Sequence, residues 1–324
     1  MWEDDLYFCK EINPKIFFVN FSKTHRKIFN VLNSQYPLAL VLAPRKTGKT
    51  PCTKFGYILK RICFDLESYI IYASESQDEA KKHAQHIIKN IEDNERLHHY
   101  FGKLVDRRRL VTRQGECQFT NGIFLGHKGA LQQSRGTQEM GEGSLTVSPP
   151  SLIVVDDPQS NKNVKSETLR EDTSNWFEEE VIYSLAKKWL HPKTNRIDRG
   201  KVRFIGTSLH PDCLAERKWR DQRFYKVRYA ALINKNGNPD HINGKSYWES
   251  MFPTEELYAE RDAAEAAGTL SSWLQERQNI PRILSDQKFN PNDIMNWDVG
   301  GNRFEMYEGE PVFIQEEDIG VSLV

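Results

Sequence analysis

An apolar run that ends in a lysine-containing loop constrains the fold more than any other stretch of this sequence. Residues 40–50 read LVLAPRKTGKT and depart from the phosphate-loop pattern GxxxxGK[ST] only at the first glycine, which is Ala43. In such a loop the backbone N–H groups of residues 46–50 surround phosphates, Lys49 lies along the β- and γ-phosphates, and Thr50 binds Mg²⁺. The alternative is a surface loop that contains Gly-Lys-Thr by chance, but a strand ending directly in the motif favours a nucleotide site. The predicted cofactor-binding residues are Ala43, Pro44, Arg45, Lys46, Thr47, Gly48, Lys49 and Thr50.

Two adjacent carboxylates end a second apolar run. Residues 152–155 are followed by Asp156-Asp157-Pro158. A buried strand that delivers a carboxylate to its C-terminal edge is how a Walker-B acid reaches a nucleotide-bound metal. Asp156 would then hold Mg²⁺ through water, and Asp157 would orient the attacking water, where the longer Glu is usual. A turn that merely stops a strand is the alternative, and the upstream phosphate loop favours the site.

Short apolar runs alternate with amphipathic segments between Leu38 and Gly206. Residues 76–94 have helical periodicity, and residues 117–126 alternate around Asn121-Gly122, which predicts a hairpin with a type I′ turn. This alternation predicts an α/β fold with a mostly parallel sheet flanked by helices. The predicted strands, rich in β-branched residues, are 38–43, 69–73, 152–157 and 201–206.

The length of 324 residues predicts a core domain with a smaller appendage. Charged helical stretches dominate after residue 215, so we predict a core at 1–215, a helical lid at 216–290 and a linker at 291–324. Lys and Arg total 45, as do Asp and Glu, which still permits a local basic surface for nucleic acid. No apolar run predicts a membrane span, and five scattered cysteines predict reduced thiols without zinc or disulfides.

Several segments follow one another in an order and at a spacing that resemble one known family. They are PRKTGKT (44–50), YASESQDEAKKHAQHIIKNIEDNERLHHYFG (72–102), SRGTQEMGEG (134–143), the DDP motif (156–158), WFEEEV (176–181), FIGTSLHPDCLAER (204–217), YWESMFPTEELYAER (247–261) and SSWLQERQNIPR (271–282). Together they resemble the large terminase subunit of tailed double-stranded-DNA bacteriophages, the motor that packages the genome. The sequence departs from that family at Ala43, at Asp157 and at His25, which stands where many members have an adenine-reading Gln.

The resemblance implies an ASCE (RecA-like) P-loop fold with a small helical lid. It also implies an ATPase with Mg²⁺ as cofactor, whose hydrolysis of ATP drives double-stranded DNA into a procapsid. Arg45 would sense or stabilise the γ-phosphate, and Arg135 would be an arginine finger that reaches the ATP of a neighbouring subunit. Thr207 would couple the hydrolysis site to a moving subdomain. An ordinary surface arginine and a helix-capping threonine are the alternatives at positions 135 and 207.

The partners that the resemblance implies are double-stranded DNA, a portal protein and a small terminase subunit. The place of action would be the cytoplasm of a bacterial host, with transient docking on the procapsid portal and no membrane. The assembled form would be a homo-oligomeric ring, whereas the isolated chain could be a monomer that offers Arg135 no neighbour. Full-length members carry a metal-dependent nuclease, whose first strand is expected where this sequence stops, so we expect no DNA cleavage by this chain.

Other functions fit parts of the pattern. A helicase would need a second RecA-like lobe, and residues 216–324 are short and highly charged. A binding module that holds nucleotide without turnover would explain Ala43 and Asp157 as degenerate positions. A purely structural scaffold is disfavoured by the intact Gly-Lys-Thr of the loop. Two basic tracts, 107–109 and 191–203, either contact DNA or form solvated surface.

Overall fold

The fold is described from a computed structural model that covers residues 4–106, 117–130, 149–191 and 194–281, and the backbone of 303–307 and 310–314. The basic tract 107–109 and the segment SRGTQEMGEG, with its Arg135, lie outside the described residues. The chain divides into two compact units, residues 1–282 and residues 283–324. Among the described residues, no helix is both long and apolar enough to cross a membrane.

The strands of the first unit form one large sheet and two small ribbons, and the second unit contributes one further ribbon. The strands are β1 (Leu38–Leu42), β2 (Tyr69–Ser74), β3 (Cys117–Gln118), β4 (Phe124–Gly129), β5 (Leu152–Asp156), β6 (Trp189–Leu190), β7 (Ile197–Asp198), β8 (Lys201–Gly206), β9 (Tyr225–Arg228), β10 (Leu232–Ile233), β11 (Lys245–Ser246), β12 (Arg303–Tyr307) and β13 (Glu310–Ile314). The large sheet has the order β3-β4-β2-β5-β8-β1-β9, and the ribbons are β6-β7, β10-β11 and β12-β13.

The large sheet confirms the predicted α/β fold with a mostly parallel sheet. Every neighbouring pair in it is parallel except β3 and β4. β8 separates β1, which leads into the phosphate loop, from β5, which ends in the two acids. One strand between these two is the arrangement of the ASCE (RecA-like) branch. The carboxyl ends of β1, β5 and β8 therefore meet at one edge of the sheet.

Helices cover both faces of the sheet because the strands are apolar on both sides. Val41 faces a cluster that includes Phe8 and Phe29, whereas Leu40 faces a cluster that includes Phe177 and Leu214. The helices are α1 (Asp5–Ile12), α2 (Lys23–Leu32), α3 (Lys49–Pro51), which continues as a π-helix (Cys52–Ile58) into α4 (Leu59–Cys63), α5 (Gln77–Asp93), α6 (Glu95–Phe101), α7 (Glu167–Asn175), which continues as a π-helix (Trp176–Ile182), α8 (Leu214–Arg220), α9 (Thr254–Ala266) and α10 (Leu270–Gln278).

The hairpin predicted at residues 117–126 is present, but its predicted type I′ turn is wrong. β3 and β4 are antiparallel, with Cys117 opposite Leu125. A type I′ turn needs positive φ at both central residues, and only Gly122 has it, with φ 89°. The Asn121 side chain instead donates a hydrogen bond to Ile62 O at 2.8 Å, so a tertiary contact takes the place of the expected turn geometry.

A smaller apolar cluster follows the large sheet. It is formed by the ribbon β10-β11 with the residues next to it and by α9 and α10, and its buried members are Ala231, Leu232, Tyr247, Leu257 and Trp273. The large sheet itself extends past residue 215, because β9 pairs with β1. The division into a core at 1–215 and a lid at 216–290, which would move relative to each other, stays a prediction.

Candidate active site

The phosphate loop joins β1 to α3 and takes left-handed backbone at two positions. Lys46 has φ 65° and Gly48 has φ 76°. Ala43 lies outside the left-handed region and extends the strand pairing, since its N–H donates to Gly206 O at 3.0 Å. The first position of the motif therefore makes no conformational demand that only glycine can meet. Alanine fits there without backbone strain.

Lys49 connects the ends of three neighbouring strands. Its side chain is buried, and its ammonium lies 2.9 Å from Asp157 Oδ2 and 3.4 Å from Ala43 O. It also donates to the Thr207 hydroxyl. Three of the predicted catalytic residues, Lys49, Asp157 and Thr207, are thus in direct contact at the carboxyl edge of the sheet. Asp157 and Thr207 thus contact the ammonium group that, according to the sequence motif, would bind phosphate.

Asp156 presents a buried carboxylate oxygen that no described residue satisfies. The Tyr72 hydroxyl donates to Asp156 Oδ2, while Oδ1 receives no hydrogen bond within the described part of the chain. Burial, and then the charge of Asp157, raise the pKa of Asp156, whereas Lys49, Tyr72 and Thr50 lower it. Such an oxygen beside the Thr50 hydroxyl suits Mg²⁺, which takes few protein ligands and keeps phosphate and water oxygens for the rest.

The described residues contain no cluster of metal-ligating side chains elsewhere. Within the described ranges, no group of three or more His, Cys, Asp or Glu side chains could hold a metal ion. In phosphoryl-transfer sites Mg²⁺ takes one or two protein oxygens and completes its shell with phosphate and water, which suits the Asp156 carboxylate and the Thr50 hydroxyl.

Asp157 is held in an unusual backbone conformation. Its φ is 45°, a left-handed value that is uncommon for residues other than glycine. Its N–H is fixed by donation to Ile205 O at 2.9 Å, and its side chain is 40% exposed. Strained backbone of this kind is often found at functional sites, where contacts with the surrounding fold hold the residue in the unfavourable conformation. Here it turns a partly exposed carboxylate towards the phosphate loop.

Two cavities meet at the phosphate loop. The larger has a volume of about 420 Å³, and the smaller has a volume of about 180 Å³. Arg45, Thr50 and Asp157 line both of them. Outside the loop, the larger cavity is lined mainly by apolar and aromatic side chains, including Phe17, Phe18, Val19, Phe21, Trp248 and Met251. The smaller cavity is lined mainly by polar ones, including Ser74, Glu75, Glu79, His83, Asp156 and Thr207.

His25 supports the phosphate loop from behind. Its Nδ1 accepts a hydrogen bond from Ser22 N–H at 3.0 Å, so its Nε2 carries the proton and donates to Thr47 O at 3.2 Å. Burial lowers the pKa of His25 to about 4, which keeps the ring neutral. Its ring packs edge-on against Trp248, with centroids 4.4 Å apart. Both ring nitrogens already form hydrogen bonds within the protein, so His25 stabilises the conformation of the phosphate loop.

The end of α10 contacts all three loops that form the site. Glu276 lies 3.3 Å from the Arg45 guanidinium in the phosphate loop. The Asn279 side chain accepts from Ser208 N–H at 2.7 Å, beside Thr207. The Gln275 side chain donates to the Asn161 side chain, also at 2.7 Å, in the loop after β5. Five consecutive residues, 275–279, therefore join the phosphate loop, the acid loop and the Thr207 loop, and we name them the α10 clasp.

A buried polar network lies behind Asp156. The Tyr72 ring packs against His83, with centroids 5.1 Å apart, and His83 Nδ1 lies 3.0 Å from the Lys54 ammonium. Burial lowers the pKa of Lys54 and lowers that of His83 to about 4. A neutral His83 accepts a hydrogen bond from Lys54, which gives the buried ammonium a partner. The network fixes Tyr72, which in turn orients the Asp156 carboxylate.

The structure places Lys49, Asp157 and Thr207 together at one edge of the sheet, and the roles that the sequence assigned to them stay predictions. Arg45 lines both cavities, as noted above, but its ion pair with Glu276 was not foreseen. Arg135 lies outside the described residues, so its role stays a prediction. The residues missed are Tyr72, Trp248 and the α10 clasp. Tyr72 lies at an inward-facing position of a strand, and Trp248 lies far from the loop along the chain, so neither carries a local sequence signal. His25, which packs against Trp248, is a position where the sequence departs from the family, and this was the only hint of that part of the site.

The strand order and the loop define the class, an α/β protein with a P-loop. No protein-family model and no curated protein matches the chain. Among solved structures, it is similar to the large terminase ATPase domain of Thermus phage P74-26, with 13% identity, a TM-score of 0.45, and coverage of 82% of this chain and 96% of that one. It is also similar to the large terminase of a thermophilic bacteriophage in complex with ADP, with 9% identity, a TM-score of 0.45, and coverage of 94% of this chain and 71% of that one.

A third similarity is to the Phi-28 gp11 DNA packaging motor, with 11% identity, a TM-score of 0.34, and coverage of 88% of this chain and 77% of that one. At such identities and TM-scores these similarities carry no argument, and the account of the chemistry rests on the residues of the site.

Proposed function

We propose that this chain hydrolyses ATP and uses the energy to move double-stranded DNA, as a motor of the phage large-terminase type. One observation carries the proposal: Lys49 contacts both Asp157 and Thr207 at the ends of adjacent strands. The ammonium group of the loop lysine thus contacts both a candidate catalytic acid and a candidate coupling residue. Arrival of phosphate at Lys49 would release the other two.

Each residue would have a distinct task in the reaction. Lys49 and Arg45 would neutralise charge on the transferred phosphoryl group, and Asp157, once released from Lys49, would orient the attacking water. Asp156 and Thr50 would hold Mg²⁺, which when bound neutralises phosphate charge. An Arg135 supplied by a neighbouring subunit would complete the site.

The α10 clasp offers a path from chemistry to movement. Arg45 would exchange Glu276 for phosphate when ATP binds, which would loosen one of three clasp contacts. Thr207 would lose Lys49 at the same moment, and its neighbour Ser208 is held by Asn279. Both changes act on residues 275–279. DNA, portal and small-subunit partners, a ring-shaped assembly and action in the host cytoplasm belong to the same proposal.

The test is phosphate release from ATP over a range of protein concentrations, with and without linear double-stranded DNA. Lys49→Ala should lower turnover by about 100-fold or more, because the main group that neutralises phosphate charge is lost. Lys60→Ala is the matched control, since Lys60 is a similarly buried lysine ion-paired with Asp5 at 2.9 Å. Turnover that rises faster than linearly with concentration would support an arginine from a neighbour. Tight ATP binding without phosphate release in the wild type would refute the ATPase and favour a binding module.

A further inference from the structure

The ribbon β6-β7 lies at the edge of the large sheet opposite the phosphate loop. Ala186 N–H donates to Pro150 O at 3.0 Å just before β5 begins, and Gly200 N–H donates to Ala186 O at 2.7 Å just before β8 begins. A Cβ on Gly200 would lie 2.9 Å from Ala186 O, so the base of the ribbon is closely packed. We name residues 186–191 and 194–200 the basic hairpin. β8 runs from its base to Thr207, a length of about 20 Å at 3.3 Å per residue.

Four described cations of the basic hairpin have exposed side chains. They are Lys187, Lys188, Arg196 and Arg199, and among the described residues their side chains form no ion pair and no hydrogen bond. The described residues 187–191 and 194–199 hold four Lys and Arg and one Asp, whereas the whole chain holds 45 residues of each sign. Positive charge is therefore in excess on the described part of this hairpin.

A second arginine-rich segment of the chain behaves in the opposite way. Arg217, Lys218, Arg223 and Arg228 each pair with a carboxylate at short range. Those cations support the packing of α8 and β9 and leave little free charge. The comparison separates basic residues that hold the fold from basic residues that face solvent unpaired.

The outer surface of the basic hairpin also carries an apolar pair. Leu190 lies opposite Ile197 in the ribbon, and they are 59% and 69% exposed. Trp189, the neighbour of Leu190, is buried, as the alternation of a strand requires. Two exposed side chains are far less than the apolar area that a stable protein interface usually buries. The recognisable chemistry of this surface is its charge.

We propose that the basic hairpin binds the phosphate backbone of double-stranded DNA. Contact without sequence preference needs only unpaired cations with sufficient reach, which Lys and Arg on an exposed ribbon supply. The choice of duplex DNA as the polyanion rests on the proposed function, whereas the binding surface itself rests on exposure and charge. β8 would connect this surface to Thr207 and hence to the nucleotide site at the other edge.

The test compares two sets of four substitutions in the full chain. The hairpin variant is Lys187→Ala, Lys188→Ala, Arg196→Ala and Arg199→Ala. The control variant is Lys81→Ala, Lys89→Ala, Lys235→Ala and Lys245→Ala, four lysines that are also exposed and unpaired in the described structure. Binding to a labelled linear duplex is measured by fluorescence anisotropy over a range of salt concentrations, without nucleotide. Circular dichroism and thermal melting establish that both variants fold.

The hairpin variant should bind duplex DNA more than about 10-fold more weakly, and its slope of log affinity against log salt should fall by about 3 to 4, near 0.9 per lost phosphate contact. The control variant should retain most of the wild-type affinity and slope. Equal losses in the two variants, or no measurable binding by the wild type, would overturn the proposal. Equal affinity of the wild type for polyglutamate would overturn the assignment to DNA.

The outcome is separable from that of the proposed function. Basal phosphate release should be unchanged in the hairpin variant, because the hairpin is at the far edge of the sheet, while its stimulation by DNA should be lost. If Lys49→Ala and the wild type release phosphate equally slowly, the ATPase fails. A hairpin-dependent loss of DNA affinity would still stand in that case.

Discussion

The two ends of the larger cavity are lined by chemically different side chains. At the sheet edge, the larger cavity is lined by Lys49 and Asp157, which form an ion pair, and Lys49 also donates to Thr207 at the end of the adjacent strand. At the other end, Phe21 and Trp248 provide aromatic surface from segments outside the large sheet. Charged groups placed at a phosphate act on the rate, whereas apolar surface that touches a remote part of the ligand acts mainly on affinity. We name these two regions the phosphate end and the aromatic end.

The largest effect on this comparison should come from Asp157→Asn. The substitution preserves size and removes the charge that would orient water, so kcat should fall by about 10²- to 10⁴-fold. KM should change little, because the aromatic end is intact. Phosphate-release kinetics over a range of ATP concentrations measure both constants, with Asp212→Asn as a carboxylate control outside both cavities. A rise in KM with unchanged kcat would place Asp157 among binding groups instead.

Trp248→Ala should produce the reverse pattern. Loss of the indole removes apolar contact area worth about 1.5–3 kcal/mol, which predicts about 10- to 100-fold weaker nucleotide affinity. The value of kcat at saturating ATP should stay within a few-fold of wild type. Titration of a fluorescent ATP analogue measures the affinity, and Trp219→Ala, which alters an indole stacked on Arg228 outside the cavity, is the control. Unchanged affinity would remove the aromatic end from the nucleotide site.

Tyr72→Phe tests how the phosphate end is held in place. The hydroxyl that orients Asp156 is lost, so the Mg²⁺ concentration needed for half-maximal turnover should rise by about 10-fold, the equivalent of one hydrogen bond to a charged group. The value of kcat at saturating Mg²⁺ should recover. Tyr57→Phe is the matched control, because the Tyr57 hydroxyl is buried and has no hydrogen-bond partner in the described structure. An equal shift in both variants would mean a general packing effect.

The smallest effect on turnover should come from His25→Gln, whose main consequence is on stability. The pKa of His25 is lowered to about 4, whereas an unfolded histidine titrates near 6.5. The unfolded state therefore binds more protons between these values, so the free energy of unfolding falls as the pH drops from about 6.5 to 4. In His25→Gln this slope should flatten, by up to about 3 kcal/mol over the window.

Denaturant unfolding at several pH values measures that change, with exposed His99→Gln as the control. His83, whose pKa is also lowered to about 4, should leave part of the slope in place. A variant curve that runs parallel to the wild type would contradict a buried neutral His25.

The sequence was informative where chemistry depends on residues close together along the chain. The strands, and the positions of the loop and of the two acids at their ends, could be predicted because each is a local pattern. The aromatic end could not be predicted, because Trp248 meets His25 only after residues more than two hundred positions apart are folded together. The turn at Asn121 was mispredicted for a related reason, since a tertiary hydrogen bond overrode a local preference.

The ion pair between Arg45 and Glu276 has a thermodynamic consequence for the proposed motor. If phosphate and Glu276 compete for one guanidinium, nucleotide binding and the position of α10 are linked, and such linkage is reciprocal. A force that draws α10 away from the phosphate loop must then strengthen the binding of nucleotide by the same factor by which nucleotide favours the separation. A mechanical load on α10 would thus change the affinity of the phosphate loop for nucleotide directly, through the contact between Arg45 and Glu276.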